Sequence, residues 1–215
     1  MRNACRTGSG RRWDSFLLLD WGHRRPMETI RTGRLVLRPL AAEDADQLFP
    51  LFSDWAVIQW LSAPPWPYEP SHMVGFVSKM RDQIAPDREI FSVITFESAP
   101  IGGISWRQRG PSHLQSGGGP NIGYWLGAPH WGKGYMTEAA RALCRQIFAT
   151  CDTDTIYSGA FTENAASLRV QSKLGFARDG DTMLRSNPKS IELAHVNTIL
   201  TRRAFEASNS RNPSP

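Results

Sequence analysis

Little in this 215-residue chain points to disulfide or metal chemistry. It has three cysteines, Cys5, Cys144 and Cys151, an odd number without close metal-ligand spacing. A disulfide framework is excluded, no metal site is expected, and the expected setting is reducing and cytoplasmic. Long hydrophobic runs are also missing. None approaches the roughly 18 residues of a membrane span, so no membrane partner is expected. No internal repeat is visible. Excess charge is absent from most of the chain. Of the 25 Lys and Arg and 20 Asp and Glu, residues 1–26 hold six Arg against Asp14 and Asp20, leaving 19 basic and 18 acidic residues beyond. The net charge of +5 therefore belongs mainly to that leader and says little about nucleic acid binding by the near-neutral body, for which no nucleic acid partner is expected.

Residues 1–26 read as an over-extended start or a disordered arm. Their apolar run, Phe16–Leu19, is too short for a secretory signal, and Asp14 and Asp20 count against a transit peptide. Residues 27–207 read as one domain, as the length predicts, and 208–215 as a disordered tail.

Periodicity then supplies the elements. "RLVLRPL" is a strand, and "AAEDADQLFPLFSD" a helix with Ala45, Leu48, Phe49 and Phe52 on one face. "DWAVIQWL" is a second, short helix. After the proline-stiffened loop "SAPPWPYEP" comes a third, "SHMVGFVSKMRDQI", with Ser71 as its cap. "EIFSVITFES" and "PIGGISWRQRG" form a hairpin about the turn "ESAP", and a Gly-rich connector, "PSHLQSGGGP", leads to the strand "NIGYWLG". In "YMTEAARALCRQIFAT", Ala139, Leu143 and Ile147 with Ala140, Cys144 and Phe148 make one apolar stripe. The strand "DTIYSGAF", a helix closed by Gly175, and the strand pair "FARDGDTMLRS" and "IELAHVNTILTRRAF" complete a mixed α/β (α+β) layout with a largely antiparallel sheet.

The stretch "GAPHWGKGYMTEAA" lies between a strand and a helix, where unpaired N–H groups and the helix dipole favour an anion. It is one letter short of a nucleotide-triphosphatase phosphate loop, because Gly134 stands where a Ser or Thr would bind Mg²⁺. Glycines at 132 and 134 either admit a phosphate to bare backbone or only tighten a turn. The strands "NIGYWL" and "DTIYSGAF" are expected to lie side by side and parallel. That arrangement brings a second helix start, at Asn164 and Ser167, to the same cleft.

At this point the chain resembles the GNAT superfamily of acetyl-coenzyme A-dependent N-acetyltransferases. Its loop pattern Q/R-x-x-G-x-G/A matches Pro129 to Gly134, departing only at Pro129. The later pattern matches Asn164, Ser167, Arg169, Val170, Lys173, Leu174, Gly175 and Phe176. "W-G-K-G-Y-M-T-E-A" and "T-x-R-L-x-L-R-P" look like the branch that acetylates ribosomal-protein N-termini, and the likeness runs from about Thr29 to Phe205.

The resemblance implies a sheet flanked by helices on both faces, with a splayed parallel pair forming a cleft for acetyl-coenzyme A. It implies that the N–H groups of Trp131, Gly132, Lys133, Gly134, Tyr135 and Met136 hold the pyrophosphate. Trp125, Leu126 and Gly127 would pair with the pantetheine amides. Asn164 and Ser167 would face the arm and thiol, and Arg169 and Lys173 the nucleotide phosphates. Ser167 is the candidate donor to the departing sulfur, with an N3 helix-capping role as the alternative. Gln171 stands where many relatives carry an acidic Tyr. Glu163, Glu138, Glu89 and His195 are the candidate bases, Glu163 being the one carried forward as a catalytic residue. Trp60, Trp66 and Tyr68, beside Trp55, are either packing or acceptor recognition.

The expected activity is acetyl transfer to a primary amine, a protein N-terminus or a small molecule, by a monomer or homodimer. A coenzyme A-binding module without catalysis and a triphosphatase are the alternatives. The absence of an acidic tract argues against a strongly polycationic acceptor.

Overall fold

The computed structural model describes residues 29–82, 89–108 and 119–211. In chain order they form β1 (Ile30–Arg31), β2 (Leu35–Pro39), α1 (Asp44–Phe52), α2 (Trp55–Ile58), α3 (Pro70–Asp82), β3 (Ile90–Phe96), β4 (Ala99–Arg107), β5 (Asn121–Leu126), α4 (Tyr135–Thr150), β6 (Thr155–Phe161), α5 (Ala165–Leu174), β7 (Ala177–Ser186), β8 (Ile191–Thr201) and α6 (Arg202–Arg211). The expectations for residues 1–26, and for most of the Gly-rich connector, lie outside the described residues. No described helix is long and apolar enough to cross a membrane.

The strands make one sheet in the order β1-β2-β3-β4-β5-β6-β8-β7. Every neighbouring pair is antiparallel except β5 and β6. Because side chains alternate across a strand, adjacent residues serve opposite cores. Ile94 packs into the core under α4, and Val93 into the one under α1 and α3. The predicted stripe of α4 is buried throughout: Ala139, Leu143, Ile147, Ala140, Cys144 and Phe148 all lie in the first core. Leu174 of α5 and Phe205 of α6 join them, while Leu48, Ile58, Met73 and Val77 build the second. Helices therefore cover both faces.

Four local expectations are corrected. α3 starts at Pro70, so Ser71 sits inside the first turn and is not its cap. The β3–β4 turn is Glu97–Ser98 alone, both at positive φ (49° and 70°), and Ala99 and Pro100 already belong to β4. The last strand stops at Thr201, whose Oγ1 accepts from Ala204 N–H at 3.2 Å and starts α6. Ser208 to Arg211, expected in a disordered tail, are the end of that helix.

Candidate active site

The parallel pair opens almost as soon as it forms. Among the described residues the β5–β6 register is Asn121↔Tyr157 alone, with Tyr157 N–H donating to Pro120 O at 2.7 Å. Beyond it the next carbonyls are taken by side chains. Ser158 Oγ donates to Ile122 O (3.1 Å) and Gln171 Nε2 to Gly159 O (3.2 Å). The strands thus part toward their C-terminal ends, as the resemblance implied. Gly127 N–H donates to Ile101 O at 2.9 Å, and antiparallel bonds alternate, so Trp125 also turns its N–H to β4. Tyr124 and Leu126 turn theirs into the opening. Of Trp125, Leu126 and Gly127, only Leu126 presents its N–H there. Its carbonyl accepts from Trp131 Nε1 at 2.6 Å.

β5 leads through Gly127 and a 3₁₀ turn, Ala128–His130, into the loop before α4. Gly132 and Gly134 have φ of 75° and 79°, the left-handed region where a Cβ costs about 1–2 kcal/mol. A Cβ at Gly132 would meet nothing within 4 Å, so the loop faces open space. Among the described residues the N–H groups from Gly132 to Thr137 have no protein acceptor. Trp131 is the exception to expectation: its N–H donates to Ala128 O at 3.2 Å and is not part of this array. The side chains of Tyr135 and Met136 are buried, leaving only their N–H groups exposed to a ligand.

Arg34 braces the loop, donating through Nη1 to Lys133 O (3.0 Å) and through Nε to Glu138 Oε2 (2.8 Å). Glu138 also accepts from Thr32 Oγ1 (2.6 Å) and Arg34 N–H (2.9 Å). Burial pushes its carboxyl up, but Thr32 and Arg34 outweigh that and hold it below the usual value. Glu138 thereby ties the β1–β2 turn to α4, which removes it as a base.

At the wall formed by α5, Asn164 Oδ1 accepts from Ser167 N–H at 3.1 Å and caps the helix. Asn164 N–H goes instead to Phe161 O (2.8 Å), so the Ser167 hydroxyl has no capping role. That hydroxyl lies 3.0 Å from Tyr124 OH and 3.4 Å from Gln171 Nε2. Gln171 is buried, and its Oε1 accepts from Thr198 Oγ1 at 2.9 Å. Burial pushes the Tyr124 phenol up to about 12, against the opposing pull of Ser167 and Gln171. Neither Tyr124 nor this network was anticipated. The alternation of "NIGYWL" does carry the signal, because it puts Tyr124 on the face of Ile122 and Leu126.

Residues 34–177 match the family described as acetyltransferase (GNAT) domain. The uncharacterized N-acetyltransferase p20 of Bacillus licheniformis is 31% identical over 173 residues, 76% of this chain and 89% of that protein. The chain belongs to the GNAT acetyltransferase family. Two solved structures share the fold of this acetyltransferase. Mycobacterium smegmatis RimJ, in complex with coenzyme A disulfide, aligns at a TM-score of 0.68 and 19% identity, over 84% of this chain and 90% of that one. The microcin C7 self-immunity acetyltransferase MccE, in complex with acetyl-coenzyme A and AMP, aligns at 0.67 and 18%, over 79% and 93%.

On the face of the acetyltransferase sheet opposite α4, Trp125 meets Phe52 edge-on at 4.9 Å, and Phe52 meets Tyr68 at 4.8 Å. The aromatic segment is divided there. Tyr68 is buried, Trp66 is exposed and packs on Trp55 (4.7 Å), and Trp60 lies under Lys189 Nζ (4.7 Å). The β7–β8 turn is tied to this segment, because Asn187 N–H and Nδ2 donate to Ser62 O and Ala63 O, both at 2.9 Å.

The remaining candidates separate by position. Glu89 precedes β3, where Ser105 and Arg107 hold it at the start of β5 and not at its open end. Glu163 is 71% exposed and 4.0 Å from Lys189 Nζ. His195 pairs with Phe161, bonds Asn197 Oδ1 through Nδ1 (3.0 Å), and lies over Gly159, where any Cβ would run into its ring. Lys133, Arg169 and Lys173 are exposed. Cys144 is fully buried, and burial pushes its thiol up to about 12, as suits a core residue and not a nucleophile.

Proposed function

We propose that this GNAT acetyltransferase transfers the acetyl group of acetyl-coenzyme A to a primary amine of low charge. The observation that carries the coenzyme reading is the run of acceptor-less N–H groups from Gly132 to Thr137 at the start of α4. Backbone donors at a helix N-terminus suit a diphosphate, and side-chain-free positions at 132 and 134 leave it room. The Leu126 and Tyr124 N–H groups facing the opening suit the amides of an extended arm. When bound, acetyl-coenzyme A supplies a thioester whose C–S bond breaks as the amine forms its N–C bond, the sulfur gaining a proton and the amine losing one. In that step Ser167 would donate a hydrogen bond toward the sulfur. Glu163, exposed and beside Lys189, is not given a role.

The acceptor side supports an apolar carrier. Trp125, Phe52 and Tyr68 form a contiguous aromatic wall, and His195, opposite Phe161 on β8, is the candidate base of this reading. Thiol release from acetyl-coenzyme A across a panel of amines tests this. Peptides with free α-amines and small aromatic amines are expected to turn over at least about tenfold faster, by kcat/KM, than spermidine, roughly 1.4 kcal/mol of discrimination. Preference for spermidine would overturn the acceptor class. Coenzyme binding without release for any amine would favour a non-catalytic binding module, and stabilisation by Mg-ATP but not by acetyl-coenzyme A would overturn the coenzyme reading.

A further inference from the structure

A serine hydroxyl has one hydrogen and two lone pairs, so its neighbours decide where the hydrogen points. Around Ser167 those neighbours are unusually well determined. Thr198 Oγ1 donates to Gln171 Oε1 at 2.9 Å, which orients the amide and leaves Nε2 on the Ser167 side. Nε2 then donates to Gly159 O at 3.2 Å and toward Ser158 Oγ and Ser167 Oγ, at 3.3 and 3.4 Å. Ser158 uses its own hydrogen on Ile122 O at 3.1 Å, so it receives from Gln171 and does not compete as a donor. Nε2 has two hydrogens for these three acceptors, so Ser167 Oγ, the longest contact, shares the hydrogen that also points at Ser158 Oγ.

The other partner is Tyr124, whose OH is 3.0 Å from Ser167 Oγ and 3.3 Å from Ser167 O. Two arrangements fit these distances. In one, Ser167 gives its hydrogen to Tyr124, and Tyr124 passes its own to the Ser167 carbonyl. In the other, Tyr124 donates to Ser167 Oγ, the shared Gln171 hydrogen lies at its second lone pair, and the Ser167 hydrogen is left for a ligand. Negative charge developing beside Ser167 selects the second arrangement, because a hydrogen bond to an anion is about twice as strong as a neutral one.

We propose that Tyr124 is a positioning residue that, together with Gln171, donates to Ser167 and so directs the Ser167 hydrogen at the departing thiolate. The donor enters from β5, one wall of the opening, while Ser167 stands on α5, the other. The proposal rests on the reading of Ser167 as the donor to sulfur. It goes beyond that reading in making the function of Ser167 conditional on a phenol 43 residues away in sequence.

Tyr124→Phe removes one oxygen and keeps the ring. Retained acetyl-coenzyme A affinity within about twofold is expected, with kcat lowered about tenfold, the scale of one hydrogen bond lost at a reacting centre. Y124F added to S167A is expected to lower kcat no further, since Tyr124 acts only through Ser167. Additive losses would overturn the proposal and return Tyr124 to a packing role.

A second readout needs no turnover. With coenzyme A bound, the ultraviolet absorbance of the thiolate is titrated in wild type and in Y124F. The bound thiol is expected to titrate about one unit higher in Y124F, because the thiolate loses part of its directed donor. Identical titrations with coenzyme A bound would overturn the role of Tyr124 alone. Failure of the wild type to bind coenzyme A would overturn the coenzyme reading and this proposal with it.

Discussion

At Gly134 the backbone stands at φ 79°, one residue before the first turn of α4 and beside unpaired N–H groups on both sides. The hydroxyl missing from a triphosphatase loop is thus matched by a conformation that disfavours any side chain. Gly134→Asp is expected to weaken coenzyme A binding at least about tenfold, since left-handed strain of about 1–2 kcal/mol adds to a carboxylate placed among the phosphate donors. Isothermal titration checks it, and unchanged affinity would remove the loop as the pyrophosphate site. Single residues also show where local reading failed. Glu138 looks like a free first-turn carboxylate in sequence, yet Arg34 and Thr32, more than 100 residues earlier, engage it.

Between elements, the tie of β2 to α1 is a bidentate pair: Arg38 Nη1 and Nη2 donate to Asp44 Oδ2 and Oδ1 at 2.7 and 2.6 Å. The Asp44 carboxylate also accepts from Ala41 N–H at 2.8 Å and is fully buried. Burial pushes its carboxyl up, but the Arg38 and Ala41 hydrogen bonds outweigh it, leaving the group below its ordinary value. A carboxyl depressed in the folded state stabilises above its unfolded value, near ~3.9, and that stability is lost as pH falls through the lower folded value. Asp44→Asn is therefore expected to cost about 2–3 kcal/mol at neutral pH, discounted for the partly exposed Arg38. The gap to wild type should narrow in denaturant melts below pH ~3, and a gap that stays constant with pH would contradict the ion-pair account. In α4 the packing is apolar, and Leu143→Ala is expected to cost about 2–5 kcal/mol in the same melts. A loss under ~1 kcal/mol would mean that the stripe is not the centre of the core.

Across the whole molecule, the sequence and the fold agree best where periodicity is local, although the Ser71 cap and the extent of the β3–β4 turn were misread. Helix α4 reads from its own stripe of Ala139, Leu143 and Ile147, and α5 from Asn164 at one end and Gly175 at the other. The strands of the β3–β4 hairpin and the open parallel pair follow from alternation and order along the chain. Element α6 was missed because its polar residues carry no stripe beyond Phe205, and its start depends on a Thr201 cap that also reads as strand. The loop, its two glycines and the helix it opens were therefore determined by the sequence alone, since each depends on residues within one turn of the next. Tertiary structure alone decided which N–H groups stay unpaired, that Glu89 sits at the wrong end of the sheet, and that Tyr124 meets Ser167. Those facts arise where distant segments meet, and no local periodicity reports how a β5 side chain will face a helix formed some forty residues later.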